Sequence, residues 1–144
     1  MNRVLIIEDE LDTARSVREA LAINSVTADI AKDGEEGIRK FNAGDYDLVL
    51  LDLRMPKMDG EQVLAEIRKV DPFVDVIVYT NFKEFADIKK LANIGIQGYV
   101  NKGPDADLNE VLSLILEKLA PLSEDDIRML INHTPKALFD DDKE

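Results

Sequence analysis

The chain contains no cysteine and a single histidine, His133. The first absence excludes disulfides, thiolate catalysis and cysteine zinc sites. It is compatible with a reducing compartment, and a cytoplasmic protein is expected. No stretch approaches the roughly 18 apolar residues of a membrane-spanning helix, and Met1-Asn2-Arg3 leads into an apolar run without a signal-peptide pattern. Positive charge is scarce too. Lys and Arg number 18 against 30 Asp and Glu, a formal net charge of −12. Such a surface disfavours direct contact with nucleic acid or anionic lipid. It serves solubility, or it selects a basic partner surface.

Hydrophobic residues make up 45% of the 144 residues, enough for one domain with a real core and a short extra piece. Short apolar runs alternate with amphipathic stretches. Strands are expected at Arg3–Ile7, Val26–Ala31, Leu48–Leu51, Val74–Tyr79 and Gly98–Asn101. Helices are expected at Leu11–Ile23, after Asp33-Gly34 with Ile38 and Phe41, after Asp59-Gly60 with Val63, Leu64 and Ile67, at Lys83–Asn93, and at Ala106–Leu119. Gly44 is read as a left-handed cap, Asp71-Pro72 as a helix breaker and Gly95 as a cap. The fold class is therefore α/β. Alternation of this kind implies parallel strands with right-handed crossovers. Five strands without a dinucleotide glycine fingerprint favour a flavodoxin-like (βα)5 unit, strand order 2-1-3-4-5, with helices on both faces.

Two domain segments follow: 1–120 as this unit, and 121–144 as a C-terminal extension. The extension reads as a short helix capped at Ser123, with Ile127, Leu130 and Ile131 on one face, then an acidic tail. It would suit a linker to a further domain. In the fifth helix, Leu112, Leu114, Ile115 and Leu116 spread beyond one face, which fits deep burial or a docking strip.

Polar residues stand where the strands stop: Glu8 and Asp9 after the first, Asp52 after the third, Thr80 after the fourth, Lys102 after the fifth. Open α/β sheets bind ligands outside their carboxyl ends. Two carboxylates about 4 Å apart repel by about 4 kcal/mol at an effective dielectric of about 20, so a cation or a proton must compensate. Oxygen donors without His or Cys indicate a hard cation, Mg²⁺ or Mn²⁺ rather than Zn²⁺. An Asp beside such a metal can attack phosphorus and form an acyl phosphate, with a Lys and a hydroxyl holding phosphoryl oxygens. Mg²⁺ should then raise thermal stability, and Asp52→Asn should stabilise the metal-free protein.

The motifs Val-Leu-Ile-Ile-Glu8-Asp9, Val-Leu-Leu-Asp52-Leu-Arg-Met-Pro56-Lys-Met-Asp59-Gly60, Val-Ile-Val-Tyr-Thr80 and Gly-Tyr99-Val-Asn-Lys102 together resemble the response-regulator receiver domain of two-component signalling. The resemblance implies Asp52 as phosphoacceptor from a sensor histidine kinase or phosphotransfer protein. It implies Mg²⁺ held by Asp9, Asp52 and the Arg54 backbone carbonyl, with Glu8 helping directly or through water. Lys102 would pair with the phosphoryl group. Thr80 would swing inward and Tyr99 follow, changing a surface of helix four, strand five and helix five that could dock a downstream target or a second copy. Three departures stand out. Gly103 follows Lys102 where Pro is common, Asn81 follows Thr80 where a small residue is usual, and Glu8 replaces the frequent Asp. Arg54, Asn81 and Phe82 lie where the family tunes access of the hydrolytic water, so an altered dephosphorylation rate is expected.

Such a chain is a switch that catalyses only its own phosphorylation and dephosphorylation, not a metabolic enzyme. Two alternatives remain open. One is a receiver-like interaction module working without phosphate. The other is a phosphatase of the haloacid-dehalogenase type, although that family's second Asp is here Arg54. His133 in His-Thr-Pro reads as a surface residue, because Pro135 would break a phosphotransfer helix.

Overall fold

Runs of four or five apolar residues become strands because the sheet is buried from both sides. β1 (Arg3–Ile7), β2 (Thr27–Ala31), β3 (Leu48–Leu51), β4 (Asp75–Thr80) and β5 (Gly98–Asn101) form one parallel sheet in the order β2-β1-β3-β4-β5. In this computed structural model the described residues are 2–81, 85–102, 108–121, 128, 129 and 131. Helices α1 (Leu11–Ile23), α2 (Gly34–Ala43), α3 (Gly60–Val70), α4 (Phe85–Ile94) and α5 (Leu108–Leu119) link and follow the strands. The expected architecture and strand order are those observed. Strand four lies one residue later than its apolar run indicated, and strand two starts one residue later, after Ser25 takes a positive φ of 63°.

Alternation along each strand divides the core into two layers. Leu5, Ile7, Val49, Leu51, Val76 and Val78 face one side, with Phe41 of α2, Val63, Leu64 and Ile67 of α3, and Leu91 of α4. Val4, Ile6, Leu48, Leu50, Ile77, Tyr79 and Val100 face the other, with Ala14, Val17 and Leu21 of α1 and Val111 and Ile115 of α5. Leu112, Leu114 and Leu116 are half-buried against this second layer. That accounts for the breadth of apolar residues on α5. Ile131 is exposed, and Ile127, Leu130 and His133 lie outside the described residues.

The helix ends follow local chemistry. Asp33 caps α2 by accepting from the Glu36 amide at 2.8 Å. Asp59 and Gln62 form a reciprocal capping box at the start of α3. Gly60 is required there, since a Cβ would lie 2.6 Å from Leu53 Cα and 2.8 Å from the Asp52 carbonyl oxygen. Asp71, extended before Pro72, ends α3. Gly95 has φ +121° and its amide donates to the Leu91 carbonyl, as a glycine cap should. Gly44 does not behave as expected. Its φ of −107° and ψ of −179° are extended, not left-handed. Its amide still closes α2 on the Lys40 carbonyl, and the chain runs straight on toward β3.

Candidate functional site

The register of the central strands builds the site. Ile7 pairs with Ala31 on one side and with Leu51 on the other. Just beyond, the Glu8 amide donates to the Ala31 carbonyl at 2.9 Å and the Asp52 amide to the Ile7 carbonyl at 3.0 Å. Both carboxylates therefore leave the sheet at the same level. Each continues the alternation of its strand on the α1/α5 face, and each is buried. On the far side, the Lys102 amide donates to the Thr80 carbonyl at 2.8 Å, which delivers a third charged side chain to the same edge.

The three meet. Lys102 Nζ lies 3.4 Å from Asp52 Oδ2 and forms a close ion pair with Glu8 Oε1; all three side chains are at least 94% buried. A third carboxylate joins from solvent: Glu10 Oε1 is 3.4 Å from Lys102 Nζ, on a side chain 59% exposed. Glu10 is the N-cap of α1, yet its side chain makes no capping bond. Among the described residues, the carboxylates of Glu8, Glu10 and Asp52 form the one group whose oxygens lie within 4.8 Å of one another. Asp9, expected in that group, is exposed and stands outside it. Glu8 continues the strand and the chain then turns into α1, so it is the residue two positions on that comes back to the site. Glu10 carries no motif of its own. Its signal was being the third acid in a row, which reads as ordinary helix N-terminal charge.

The electrostatics follow from burial. Loss of water pushes the Glu8 carboxyl up to about 9, and the neighbouring Asp52 adds to this against the opposing pull of Lys102. Burial draws Lys102 downward, but its hydrogen bond to Glu8 and the charges of Asp52, Glu8 and Glu10 outweigh it, so its pKa rises. With one ammonium among three carboxylates, Glu8 thus holds its proton more tightly than an exposed carboxyl does. That is the compensation the repulsion argument requires, and an incoming dication could replace both.

The other expected residues surround this centre. The Arg54 amide donates to Asp52 Oδ1 at 3.2 Å, fixing the carboxylate's orientation, while the Arg54 side chain is exposed. Thr80, fully buried at the end of β4, pairs in register with Asn101. Alternation sets Thr80 on the α2–α4 face, where half-buried Tyr99 also packs, and burial raises the Tyr99 hydroxyl. Asn81 is exposed, and Phe82 lies outside the described residues. Lys57, in the loop after Asp52, has φ +74°, and the Met58 amide donates to the Pro56 carbonyl at 2.9 Å across it. This tight turn, with Gly60 packed on Asp52 and Leu53, holds the loop over the site. The donor set is all oxygen, clustered and partly solvent-facing, and it fits a hard divalent cation. No described helix is long and apolar enough to cross a membrane.

Comparison with known proteins agrees with this geometry. Residues 4–113 match the family model described as response regulator receiver domain. The transcriptional regulatory protein DltR of Streptococcus agalactiae is 33% identical over 105 residues, 73% of this chain and 47% of that protein. The regulatory protein AtoC of Escherichia coli is 31% identical over 138 residues, 96% of this chain and 29% of that protein. The chain thus spans about half or less of the length of these curated relatives. Among solved structures, the response regulator TrrA of Thermotoga maritima, in complex with Mg²⁺ and BeF, superposes with a TM-score of 0.71 at 30% identity, covering 82% of this chain and 99% of that one. A CheY-like receiver domain protein of Methanospirillum hungatei gives 0.78 at 26% identity, covering 83% and 94%. The chain belongs to the response regulator receiver domain family of two-component systems.

Proposed function

We propose that this chain is the phospho-accepting receiver of a two-component system, with Asp52 as the acceptor. The observation that carries the reading is the buried Asp52 carboxylate, oriented by the Arg54 amide and set 3.4 Å from the buried Lys102 ammonium. A carboxylate so placed is shielded from bulk water, aimed by one donor and flanked by a cation that can follow the developing phosphoryl charge. An Asp52 oxygen attacks phosphorus, and the bond from phosphorus to the donor breaks. With a kinase the leaving group is a histidine; with acetyl phosphate it is acetate.

Mg²⁺, or Mn²⁺, would be held by Glu8 and Asp52, which lie together with Glu10, and by the Arg54 carbonyl and Asp9, which the likeness to the receiver family adds. When bound it supplies charge neutralisation for the incoming phosphoryl oxygens. Lys102 exchanges its carboxylate partners for a phosphoryl oxygen. Thr80 turns toward the new charge and Tyr99 repacks beside it, since the two share the α2–α4 face. This biases a two-state surface made by α4, β5 and α5, where a downstream target or a second copy docks. Arg54, Asn81 and Phe82 tune hydrolysis. TrrA, solved with Mg²⁺ and BeF, supports the metal and phosphoryl parts of this reading by its likeness.

The receiver unit is 1–120, with 121–144 as a linker toward an output domain, as the greater length of the curated relatives favours. The protein acts in the cytoplasm, as a switch rather than a metabolic enzyme. Incubation with acetyl phosphate followed by intact-mass analysis tests the reading. A base-labile phosphoryl adduct that needs Mg²⁺ and is lost in Asp52→Asn is expected. Folded wild type that takes no phosphate from acetyl phosphate or from kinases would instead favour an interaction module working unmodified. Turnover of small phosphate esters would point to a phosphatase.

A further inference from the structure

Among the described residues, the ammonium of Lys102 also meets a group that is not an acid. It sits 5.5 Å from the centroid of the Tyr79 ring, within the reach of a cation–π contact. Tyr79 is the penultimate residue of β4, 92% buried, and pairs in register with Val100. Alternation therefore places Tyr79, Val100 and Lys102 on one face of the sheet, the α1/α5 face that also carries Glu8 and Asp52. The ring lines the narrow space beneath those two carboxylates, together with Thr13, Ala14 and Val17 of α1.

We propose that the Tyr79 ring is a positioning surface for Lys102, holding its ammonium at the acidic edge while its carboxylate partners change. The proposal rests on the reading of Lys102 as the partner of the phosphoryl group. Among the described residues, each ionic contact of Lys102 uses an oxygen that a divalent cation would also claim: Glu8, Asp52 and Glu10 are the three clustered carboxylates. The ring uses none of them. Its quadrupole attracts the ammonium whether those oxygens face Lys102, a metal or a proton. The main-chain tie to Thr80 fixes only the amide of Lys102, and the next residue is Gly103, which adds no ring of its own to stiffen the loop. An aliphatic side chain at position 79 would fill the same core volume and give the ammonium no attraction.

The test compares Tyr79→Leu, Tyr79→Phe, Lys102→Met and the Tyr79→Leu/Lys102→Met double variant. Two readouts are used: the rate of Mg²⁺-dependent adduct formation with acetyl phosphate, and the NMR shifts of the Lys102 ε-methylene protons, assigned against Lys102→Met. Tyr79→Leu should slow phosphorylation by about three- to tenfold, with Mg²⁺ affinity unchanged. Tyr79→Phe, which keeps the ring, should restore the rate to within about twofold. In the Lys102→Met background the leucine should add no further slowing, because the pair is then already broken. The ε protons should show an upfield ring-current shift in wild type and Tyr79→Phe that is lost in Tyr79→Leu. If Leu at position 79 prevents folding, Tyr79→Met takes its place. Equal slowing in both Lys102 backgrounds, or no ring-current shift in wild type, overturns the proposal. A wild type that takes no phosphate sinks the functional reading instead, and the ring-current shift still decides whether the ring holds Lys102.

Discussion

Two cationic side chains anchor opposite ends of the sheet, and they are satisfied in opposite ways. At the amino ends of β4 and β5, Arg68 of α3 is ringed by neutral acceptors. Its Nε and Nη2 donate to the Gly95 carbonyl at 3.1 and 2.9 Å, its Nη1 to the carbonyls of Val74 at 2.6 Å and Asp71 at 3.3 Å, and its Nη2 to Gln97 Oε1 at 3.0 Å. Gln97 Oε1 also receives the Val76 amide at 2.7 Å. Burial lowers the pKa of Arg68, against the pull of the Asp71 and Asp75 charges. At the carboxyl ends, Lys102 is held by carboxylates. Main-chain carbonyls at helix and strand ends have no competing cation, so Arg68 is a fixed staple joining α3, the α4–β5 turn and the start of β4. Carboxylates can be claimed by a metal or a proton, so the Lys102 contacts are exchangeable. One sheet thus separates a stability element from a switching element by the kind of acceptor offered to each cation.

The contrast breaks most visibly by removing each cation in turn. Lys102→Met should slow Mg²⁺-dependent phosphorylation by about a hundredfold, the usual effect of losing one charge-stabilising donor, read by intact mass against time. Arg68→Met should leave that rate within about twofold while lowering unfolding stability by about 2 kcal/mol, since three partly buried carbonyls lose their donor. Urea denaturation measures it. A large rate effect at Arg68, or none at Lys102, would erase the distinction.

A subtler test uses protons. The Glu8 carboxyl is raised in the folded protein to about 9 from an ordinary value of 4.5. The folded state therefore binds the proton more tightly than the unfolded chain does. Glu8 supports stability fully below pH about 4.5, and that contribution is lost as pH rises through about 9. Metal ligands must shed protons, so Mg²⁺ affinity should rise with pH across the same window, by up to about tenfold per unit. Calorimetric titrations at pH 6, 7 and 8 in buffers of different ionisation enthalpy would show a released proton. Glu8→Gln should flatten both trends. An affinity indifferent to pH would mean that Glu8 is already ionised or takes no part.

The fold was legible because both faces of the sheet are covered: β1, β3 and β5 match their apolar runs residue for residue, and α1 matches its amphipathic stretch. Strand ends then positioned Glu8, Asp52 and Lys102, and the structure brings all three into contact. What escaped were features set by geometry rather than residue type. Gly44 had the composition of a left-handed cap but an extended backbone. Glu10 carried no signal that set it apart, and only the turn after Glu8 shows that it, and not Asp9, meets Lys102. Tyr79 read as one more apolar strand residue. The period-two alternation that pairs it with Lys102 becomes visible once the β4–β5 register is known. Phe82 and most of the C-terminal extension fall outside the described residues.

The central claim is that the acceptor is the buried, lysine-paired carboxylate at the end of β3 and not one of the neighbouring acids. Borohydride reduction of the phosphorylated protein tests it most directly, because an aspartyl phosphate is reduced to homoserine and a glutamyl phosphate to the longer hydroxy amino acid. Peptide mass mapping should find a single homoserine, at position 52, formed only when Mg²⁺ was present. Reduction at Glu8, Asp9 or Glu10 would contradict the account, as would a homoserine at 52 that forms equally well without the metal.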